Sequence, residues 1–172
     1  MKHLKKAVVC SVAVIVGIVL QQYGDQIRSG ERGLEIIGNA EGCRRDPYQC
    51  PADVLTVGIG STEANSGKIE RNRTYSDQEI AARWAKDIMA AERCVNRYGN
   101  GAAMPQGAFE AMTSLTFNVG CGAMRKSTLF KMANQGYRPA MCDQFSRWIY
   151  FNGKPLKGLQ IRRAKERALC LR

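Results

Sequence analysis

The residues best suited to chemistry lie in one short stretch, NAEGCRRDPYQCPADVLTVGIGST, at positions 39–62. Glu41 precedes Gly42, which can end a helix there. Cys50 follows Glu41 by nine positions, and Thr56 follows Cys50 by six. A glutamate at a helix end that faces a second polar group across a cleft suits glycoside hydrolysis, because one group protonates the leaving oxygen while the other activates water or acts as a nucleophile. The arrangement is typical of acid–base chemistry on a sugar.

Each of these residues also has an ordinary interpretation. Most glutamates are surface charges, and a threonine in a β-like segment is usually a strand former. Cys50 has a neighbour in Cys43 with which it can form a structural disulfide. Only the combination of the three residues at this spacing favours a functional site.

The chain of 172 residues is long enough for one compact domain or two small lobes. It carries 26 lysines and arginines against 15 acidic residues, a formal net charge of +11. This charge favours an anionic partner such as nucleic acid, an acidic membrane face or an acidic cell-wall polymer. The one histidine, His3, weakens every mechanism that needs an imidazole, and the lack of a Cys-x-x-Cys pair weakens a zinc site. We therefore expect no metal and no cofactor.

The N-terminus has the charge order of an export signal. Three lysines lie within residues 1–6, and an uncharged run of 14 residues follows from Ala7 to Leu20. The run lacks a good small-x-small cleavage site, and it is short for a spanning helix, which needs about 20 apolar residues. We interpret residues 1–24 as an uncleaved anchor that can leave the membrane, with a cleaved signal and a permanent anchor as alternatives. The seven cysteines favour an oxidising compartment.

The next part of the chain predicts a small N-terminal lobe over about residues 30–75. Leu34, Ile37 and Glu41 follow one another at helical spacing, which predicts a short helix after a linker. Further on, β-branched residues beside glycines predict a small β region near residues 53–75.

A long connecting helix is predicted over residues 76–97. Ser76 and Glu79 form a capping box at its start, and glycines at 99 and 101 stop it. Its apolar stripe is assigned to the core and consists of Ile80, Trp84, Ile88 and Val95.

The C-terminal lobe, residues 98–172, is predicted to be helical. Helices are expected to start near Pro105, Ser127 and Pro139. The sequence NGKP at 152–155 predicts a turn before a final basic helix. The basic run of that helix consists of Arg162, Arg163, Lys165 and Arg167, and most of these four side chains are expected to be solvated. The predicted fold class of residues 25–172 is therefore α+β and mostly helical.

The spacing Glu41-x8-Cys50-x5-Thr56 resembles the Glu-x8-Asp-x5-Thr signature of the phage lysozymes of the T4 type, glycoside hydrolase family 24. Three longer segments are also similar to that family: TVGIGST (56–62), FNVGCGAMRKSTLFKMAN (117–134) and RWIYFNGKPLKGLQIRRAKERAL (147–169). The likeness runs in order over roughly residues 33–171. The anchor-like N-terminus and the cysteines at 10, 43 and 50 resemble those of the signal-anchor-release endolysins within the family.

The resemblance implies a lysozyme-like fold and a muramidase that hydrolyses the bonds between N-acetylmuramic acid and N-acetylglucosamine in bacterial peptidoglycan. It implies that Glu41 is the general acid, that Cys50 is the counterpart of the family's catalytic aspartate, and that Thr56 helps to hold the attacking water. It further implies that Asn118 lines the substrate cleft and that Arg163 is the ion-pair partner of Glu41.

Cys50 departs from the family pattern, in which the second group is an aspartate. A free thiol has a pKa of about 8.5, so it is mostly neutral at pH 7 unless its surroundings lower that value. Asp46 and Asp53 are nearby carboxylates and remain alternatives for the second group. The inverting or retaining outcome is therefore left open.

Four cysteines lie away from the signature: Cys94, Cys121, Cys142 and Cys170. Four cysteines allow three pairings. We prefer one disulfide between the first two and one between the last two, because each pair joins segments predicted to be helix ends.

The remaining thiols are Cys10, Cys43 and Cys50. While the anchor is in the bilayer, Cys10 cannot reach the lobe, and a Cys43–Cys50 disulfide would keep the enzyme inactive. After release, attack of Cys10 on Cys43 would expel Cys50 as a free thiolate. The signal-anchor-release endolysins are similar in arrangement, and we therefore expect activation by disulfide exchange.

These expectations describe a protein that is exported, tethered to the host inner membrane facing the periplasm, and then released as a soluble monomer that acts on peptidoglycan. One alternative is a membrane-tethered basic module that binds an anionic polymer through its last helix. Export and the lack of an aromatic stacking platform count against nucleic acid as that polymer. The missing Cys-x-x-Cys pair disfavours a third candidate, a thiol–disulfide oxidoreductase.

Overall fold

The computed structural model describes residues 6–172, and Lys2, His3 and Lys5 of the basic tip lie outside the described residues. The helices are α1 (Val12–Tyr23), α2 (Glu31–Glu41), α3 (Glu63–Ser66), α4 (Asp77–Tyr98), α5 (Gln106–Val119), α6 (Cys121–Met124), α7 (Thr128–Asn134) and α8 (Lys157–Cys170). Two short 3₁₀ segments cover Gly101–Ala103 and Pro139–Arg147. The strands are β1 (Arg44–Gln49), β2 (Leu55–Gly58), β3 (Tyr150–Phe151) and β4 (Lys154–Pro155). The described residues are thus mostly helical, as expected, and they contain two small two-stranded sheets where the sequence predicted one β region.

The segment interpreted as an anchor packs against the rest of the chain as α1. Ser11 caps this helix by accepting the Val14 N–H at 3.3 Å, and one face of α1 is buried through Ile15, Val16 and Val19. Its neighbours are α2 and α4. Gly38 of α2 permits the close approach, because a Cβ there would lie 2.5 Å from Cγ1 of Val12.

Among residues 6–172, no helix is both long enough and apolar enough to cross a membrane.

The first hairpin lies earlier in the chain than the sequence predicted. β1 pairs antiparallel with β2, with Tyr48 opposite Thr56, and residues 59–75 contain no strand beyond an isolated bridge between Val57 and Ser61. The predicted β region near residues 53–75 therefore has the wrong bounds, because β1 lies before residue 53 and β2 already ends at Gly58. The sequence of β1, RRDPYQ, has little intrinsic strand propensity, so tertiary pairing decides its conformation.

α4 connects two hydrophobic clusters. Its start is the predicted capping box, in which Ser76 accepts the Glu79 N–H and the Glu79 carboxylate accepts the Ser76 N–H. The first half of α4 packs into the N-terminal cluster through residues such as Trp84 and Ile88. Its last turns pack into the C-terminal cluster through Val95. The predicted stripe is buried, so α4 ties the two lobes together through apolar area.

The C-terminal lobe follows the predicted helix boundaries closely. α5 starts after Pro105, Ser127 caps α7, and the NGKP turn joins β3 to β4. Two disulfides brace this region, Cys94–Cys121 and Cys142–Cys170, which is the pairing preferred from the sequence. α8 packs against α5 and α2, and this contact brings the basic helix to the end of α2.

Candidate active site

Glu41 is the last residue of α2, and Gly42 ends the helix as predicted. Gly42 adopts a φ of 74°, and its N–H donates to the carbonyl of Gly38 at 2.8 Å. Leu34 and Ile37 are fully buried and hold the helix in the N-terminal cluster. The Glu41 side chain remains 24% exposed, so its carboxyl group is held by a rigid element and still reached by solvent.

The ion-pair partner of Glu41 is Arg162, and the expectation of Arg163 is wrong. Nη1 of Arg162 donates to Oε1 of Glu41 at 2.8 Å, whereas Nη2 of Arg163 donates to Oδ1 of Asn118 at 2.8 Å. Consecutive residues of an α-helix are rotated by about 100° around its axis, so a difference of one position changes the neighbours of a side chain. Both arginines are buried, at 5% and 1% exposure, which also corrects the expectation that most of the basic run is solvated.

Cys50 and Thr56 lie on the first hairpin, at the turn and on β2. The Cys50 N–H donates to the Val54 carbonyl at 3.0 Å, and the Asp53 N–H donates back to the Cys50 carbonyl at 2.8 Å. Thr56 is buried opposite Tyr48, and its hydroxyl donates to the Val54 carbonyl at 2.9 Å. The Cys50 thiol is free and partly exposed, so it is available for chemistry.

The chain after β2 returns to Glu41. Gly60 has a φ of 69°, which favours glycine. A Cβ at Gly60 would lie 3.0 Å from Oε2 of Glu41. The backbone of the hairpin segment therefore packs directly against the carboxyl group of Glu41, and the absence of a side chain at Gly60 keeps that approach open.

The surroundings of Cys50 favour its thiolate. The backbone N–H of Val54 is the largest influence that lowers the pKa of the Cys50 thiol below its ordinary value. The N–H of Ala52 acts in the same direction, while partial burial opposes both. The thiolate is the nucleophilic and basic form of cysteine, so this hairpin increases the fraction of Cys50 that is present in that form at neutral pH.

Tyr48 belongs to the site, although nothing in the sequence indicated it. Burial chiefly, and then the negative charges of Glu41 and Cys50, raise the pKa of the Tyr48 phenol. The guanidinium of Arg44 stacks over the Tyr48 ring, 4.8 Å from its centroid. Tyr48 lies on β1, which connects the end of α2 at Glu41 to the hairpin turn at Cys50.

One depression of the surface contains Glu41, and a second lies beside Gly60. The larger has a volume of about 590 Å³ and is lined by Glu41, Asn118 and Arg162 together with residues of α2 and the start of α8. The second, of about 400 Å³, is lined by Gly60 and by residues of α3, α4 and α5, including Asp87. Asn118 therefore lines the groove that contains Glu41, which is the place implied for it. Grooves of this size accommodate small organic groups such as sugar rings.

The cysteines near the site are in a defined covalent state. Cys10 is bonded to Cys43, and Cys50 is the free thiol. The segment before α1 pairs with the start of β1 through an isolated antiparallel bridge between Val9 and Arg44. The Arg45 N–H donates to the Val8 carbonyl at 2.7 Å, and the Cys10 N–H donates to the Cys43 carbonyl at 3.1 Å. This register places Cys10 directly beside Cys43.

The two carboxylates considered as alternatives to Cys50 have other partners. Asp46 forms an ion pair with Arg44 at 2.7 Å and accepts the Val8 N–H at 2.8 Å. Hydrogen bonding to Arg44 lowers the pKa of Asp46 to about 2. Asp53 lies in the exposed hairpin turn and accepts from the Gln49 side chain at 3.1 Å. Neither residue lines the groove that contains Glu41, and Cys50 and Thr56 do not line it either.

The comparison with known proteins agrees with this geometry. The sequence profile of the phage lysozyme family matches residues 38–166. The SAR-endolysin of Escherichia phage P1 is 44% identical over 174 aligned residues, which cover 95% of this chain and 91% of the relative. The crystal structure of the active form of the phage P1 endolysin Lyz superimposes with a TM-score of 0.87 at 44% identity, covering 96% of both chains.

A second crystal structure of the same relative is less similar to this chain. The structure described as the secreted inactive form of the phage P1 endolysin Lyz superimposes with a TM-score of 0.58, covering 83% of this chain and 95% of the other. The fold described here, with Cys50 free, is therefore closer to the active form. The family profile and the identity over nearly the whole chain confirm the resemblance seen in the sequence, and we conclude that this chain belongs to the phage lysozyme family.

Proposed function

We propose that this protein is an endolysin, a muramidase that hydrolyses the bonds between N-acetylmuramic acid and N-acetylglucosamine in bacterial peptidoglycan. The observation that carries the proposal is the position of Glu41, a partly exposed carboxyl group at a helix end that faces a groove and contacts Arg162. Membership of the phage lysozyme family supports the same activity. The net charge of +11 suits an anionic cell-wall polymer.

In this proposal Glu41 protonates the glycosidic oxygen as the bond to it breaks. Cys50, as a thiolate, serves as the second group and accepts a proton from the water that attacks the sugar. Thr56 holds that water beside the hairpin, and Asn118 contacts the glycan in the groove. The lowered pKa of Cys50 supports its role, and the engagement of Asp46 and Asp53 elsewhere favours Cys50 over both.

The activity is tested with Glu41→Gln. The amide has nearly the same shape but cannot donate the proton, and general acid–base assistance contributes about 10²–10⁴-fold to rate. We expect the variant to lose lysis of permeabilised Gram-negative cells and release of glycan fragments from purified peptidoglycan. Glu35→Gln, an exposed position on the same helix, is the matched control and should keep full activity. Residual activity of Glu41→Gln above about a tenth of the wild-type rate would contradict its role.

We further propose that residues 1–24 tether the new protein to the inner membrane, facing the periplasm, and that release activates it. In the tethered state a Cys43–Cys50 disulfide consumes the Cys50 thiol. On release, the thiolate of Cys10 attacks the sulfur of Cys43, the Cys43–Cys50 bond breaks, and Cys50 leaves as a thiolate. The exchange needs no external oxidant, because one disulfide is broken for each one formed. The Cys10–Cys43 bond and the free Cys50 fit the product of this exchange.

The switch is tested with Cys10→Ser, released from membranes and kept oxidised. We expect this variant to stay inactive until a reductant opens Cys43–Cys50. Cys43→Ser cannot form the inactive disulfide and should be active without release. Full activity of oxidised Cys10→Ser protein would show that exchange is not required.

A further inference from the structure

Glu166 is an acidic residue in the basic helix α8, and its side chain is fully buried. Its Oε1 accepts from the Ser114 hydroxyl at 2.6 Å and from Nε of Arg162 at 3.2 Å. Its Oε2 lies 2.9 Å from Nε of Arg163. A carboxylate removed from water in this way is tolerated only where charged and hydrogen-bonding partners surround it. The buried carboxylate of Glu166 therefore depends on Ser114, Arg162 and Arg163 for its stabilisation.

Arg162 connects Glu166 to Glu41. Nε of its guanidinium faces Glu166, Nη2 donates to the Ser114 carbonyl at 3.2 Å, and Nη1 donates to Glu41 at 2.8 Å. A guanidinium is a rigid plane, so two bonds made inside the protein fix the direction in which the third N–H points. The long arginine side chain has several rotatable bonds, and without the inner contacts it would not hold one orientation at the cleft.

The charges of this cluster balance. Arg162 and Arg163 contribute two positive charges, and Glu41 and Glu166 contribute two negative charges. Burial raises the pKa of Glu166, and the two guanidinium groups that face its carboxylate oppose that effect. Burial lowers the pKa of Arg163 to about 10, against the opposing effect of Glu166. Glu166 also shares the charge of Arg162 with Glu41, so Glu41 is not the only counter-ion of that arginine. Loss of Glu166 would leave excess positive charge in a buried region next to the catalytic acid.

We propose that Glu166 is a positioning residue for the reaction: it orients Arg162, and through Arg162 it holds the carboxyl group of Glu41 in the geometry needed to protonate the leaving oxygen. The inference rests on the proposed function of Glu41. The proposed chain of contacts runs from Glu41 on α2 to Arg162 and Glu166 on α8, and from there to Ser114 on α5. The three helices would then jointly determine the orientation of the Glu41 carboxyl group. Small displacements of reacting groups are known to have large effects on rate.

The test compares Glu166→Gln with Glu166→Asp in the full-length released protein. Glu166→Gln removes the charge at nearly constant shape, and we expect kcat on soluble glycan strands to fall about tenfold, the effect of one charge-assisted hydrogen bond, while KM stays nearly unchanged. Glu166→Asp keeps the charge and should restore part of the loss. Glu110→Gln is the matched control, because Glu110 is also a buried acid that bonds a backbone N–H, Gly30, away from Glu41; it should change stability but not kcat.

A double-mutant cycle decides whether Glu166 acts through Arg162. In an Arg162→Lys background the bridge is already absent, so Glu166→Gln should have little further effect on kcat. Fully additive losses would overturn the proposal, as would a Glu166→Gln protein that shows a lower Tm with an unchanged kcat. If Glu166→Gln does not fold, Ser114→Ala is the substitute. It deletes one donor to Glu166 and should produce a smaller loss of the same kind, in kcat and not in KM.

One readout is independent of activity. The Nε–H signal of Arg162 in a ¹⁵N–¹H spectrum, assigned by its loss in Arg162→Lys, should shift and broaden in Glu166→Gln and remain in place in Glu110→Gln. If the protein is not a muramidase, the wild type will be inactive on peptidoglycan, yet this spectrum still tests the contact. An unaltered Arg162 signal in Glu166→Gln would overturn the positioning role even in an active enzyme.

Discussion

Arg162 contacts Glu41 although 121 positions separate them in the chain: Nη1 lies 2.8 Å from Oε1, and the arginine is 5% exposed while the glutamate remains in contact with solvent. The contact joins the end of α2 to the second turn of α8. It explains how an acidic group can be held at the edge of an open groove without being free to rotate. We make four testable predictions about this site and the hairpin beside it.

Arg162→Met should be strongly destabilising. It leaves the fully buried Glu166 without one of its two cationic neighbours, and breaking a buried ion pair from one side costs about 3–5 kcal/mol. Arg167→Met is the matched control on the same helix, since Arg167 forms an exposed pair with Asp143 that is worth about 0–1 kcal/mol. Urea unfolding of both variants measures the difference. Equal free energies of unfolding would show that the buried cluster contributes nothing beyond a surface pair.

Gly60→Ala should reduce activity far more than it reduces stability. Gly60 and Gly67 both have a positive φ, of 69° and 75°, so alanine costs each position about 1–2 kcal/mol of backbone strain. Only at Gly60 does the new methyl group meet Glu41, 3.0 Å from Oε2. Displacing the acid should lower the rate of cell-wall clearing roughly 10²-fold, whereas Gly67→Ala keeps it. The idea fails if the two variants clear cell walls equally well.

Cys50 should ionise at a lower pH in the folded protein than in the unfolded chain. The Val54 N–H stabilises the thiolate and lowers the pKa of Cys50, so the thiolate fraction at neutral pH exceeds that of an ordinary cysteine. The rate of alkylation by iodoacetamide follows the thiolate and can be recorded against pH with the three disulfides closed. The same protein in urea is the reference. Coincident midpoints in the two states would remove the physical basis for Cys50 as a base.

Asp46→Asn should destabilise the protein in a pH-dependent way. The pKa of Asp46 is depressed from 3.8 to about 2, so its contribution is fully present above about pH 4 and is lost as the pH falls through about 2. Allowing for partial solvent screening, we expect a difference in unfolding free energy of about 1–2 kcal/mol at pH 7 that shrinks toward zero near pH 2.

Asp53→Asn is the control for that measurement. Asp53 is exposed in the hairpin turn, with a φ of 59°, a conformation that asparagine also tolerates. Its replacement should change the free energy of unfolding by less than about 0.5 kcal/mol at every pH. A pH-independent effect of Asp46→Asn, or an equal effect of Asp53→Asn, would argue against the ion pair with Arg44 as the cause.

Local structure was readable from the sequence wherever neighbouring residues decide it. The capping box at Ser76, the helix end at Gly42 and the cap at Ser127 all depend on hydrogen bonds between residues three or four positions apart, and all are present as predicted. The spacing of Glu41, Cys50 and Thr56 was likewise visible, because it resembles the Glu-x8-Asp-x5-Thr signature of the family. β1 was missed since its charged, proline-containing sequence becomes a strand only through pairing with β2.

The tertiary structure alone decided which of two adjacent arginines contacts Glu41. Arg162 and Arg163 are the same residue type with the same charge. Only the rotation of α8 against α2 and α5 directs Arg162 to Glu41 and Arg163 to Asn118. The burial of Glu166 follows from the same packing, although its position three and four residues after the two arginines was a signal in the sequence. Helix periodicity relates residues within one element, whereas the orientation of one element against another depends on side-chain packing across the whole core. For that reason the sequence sufficed to select Glu41 as the candidate acid, but not to select the arginine that contacts it.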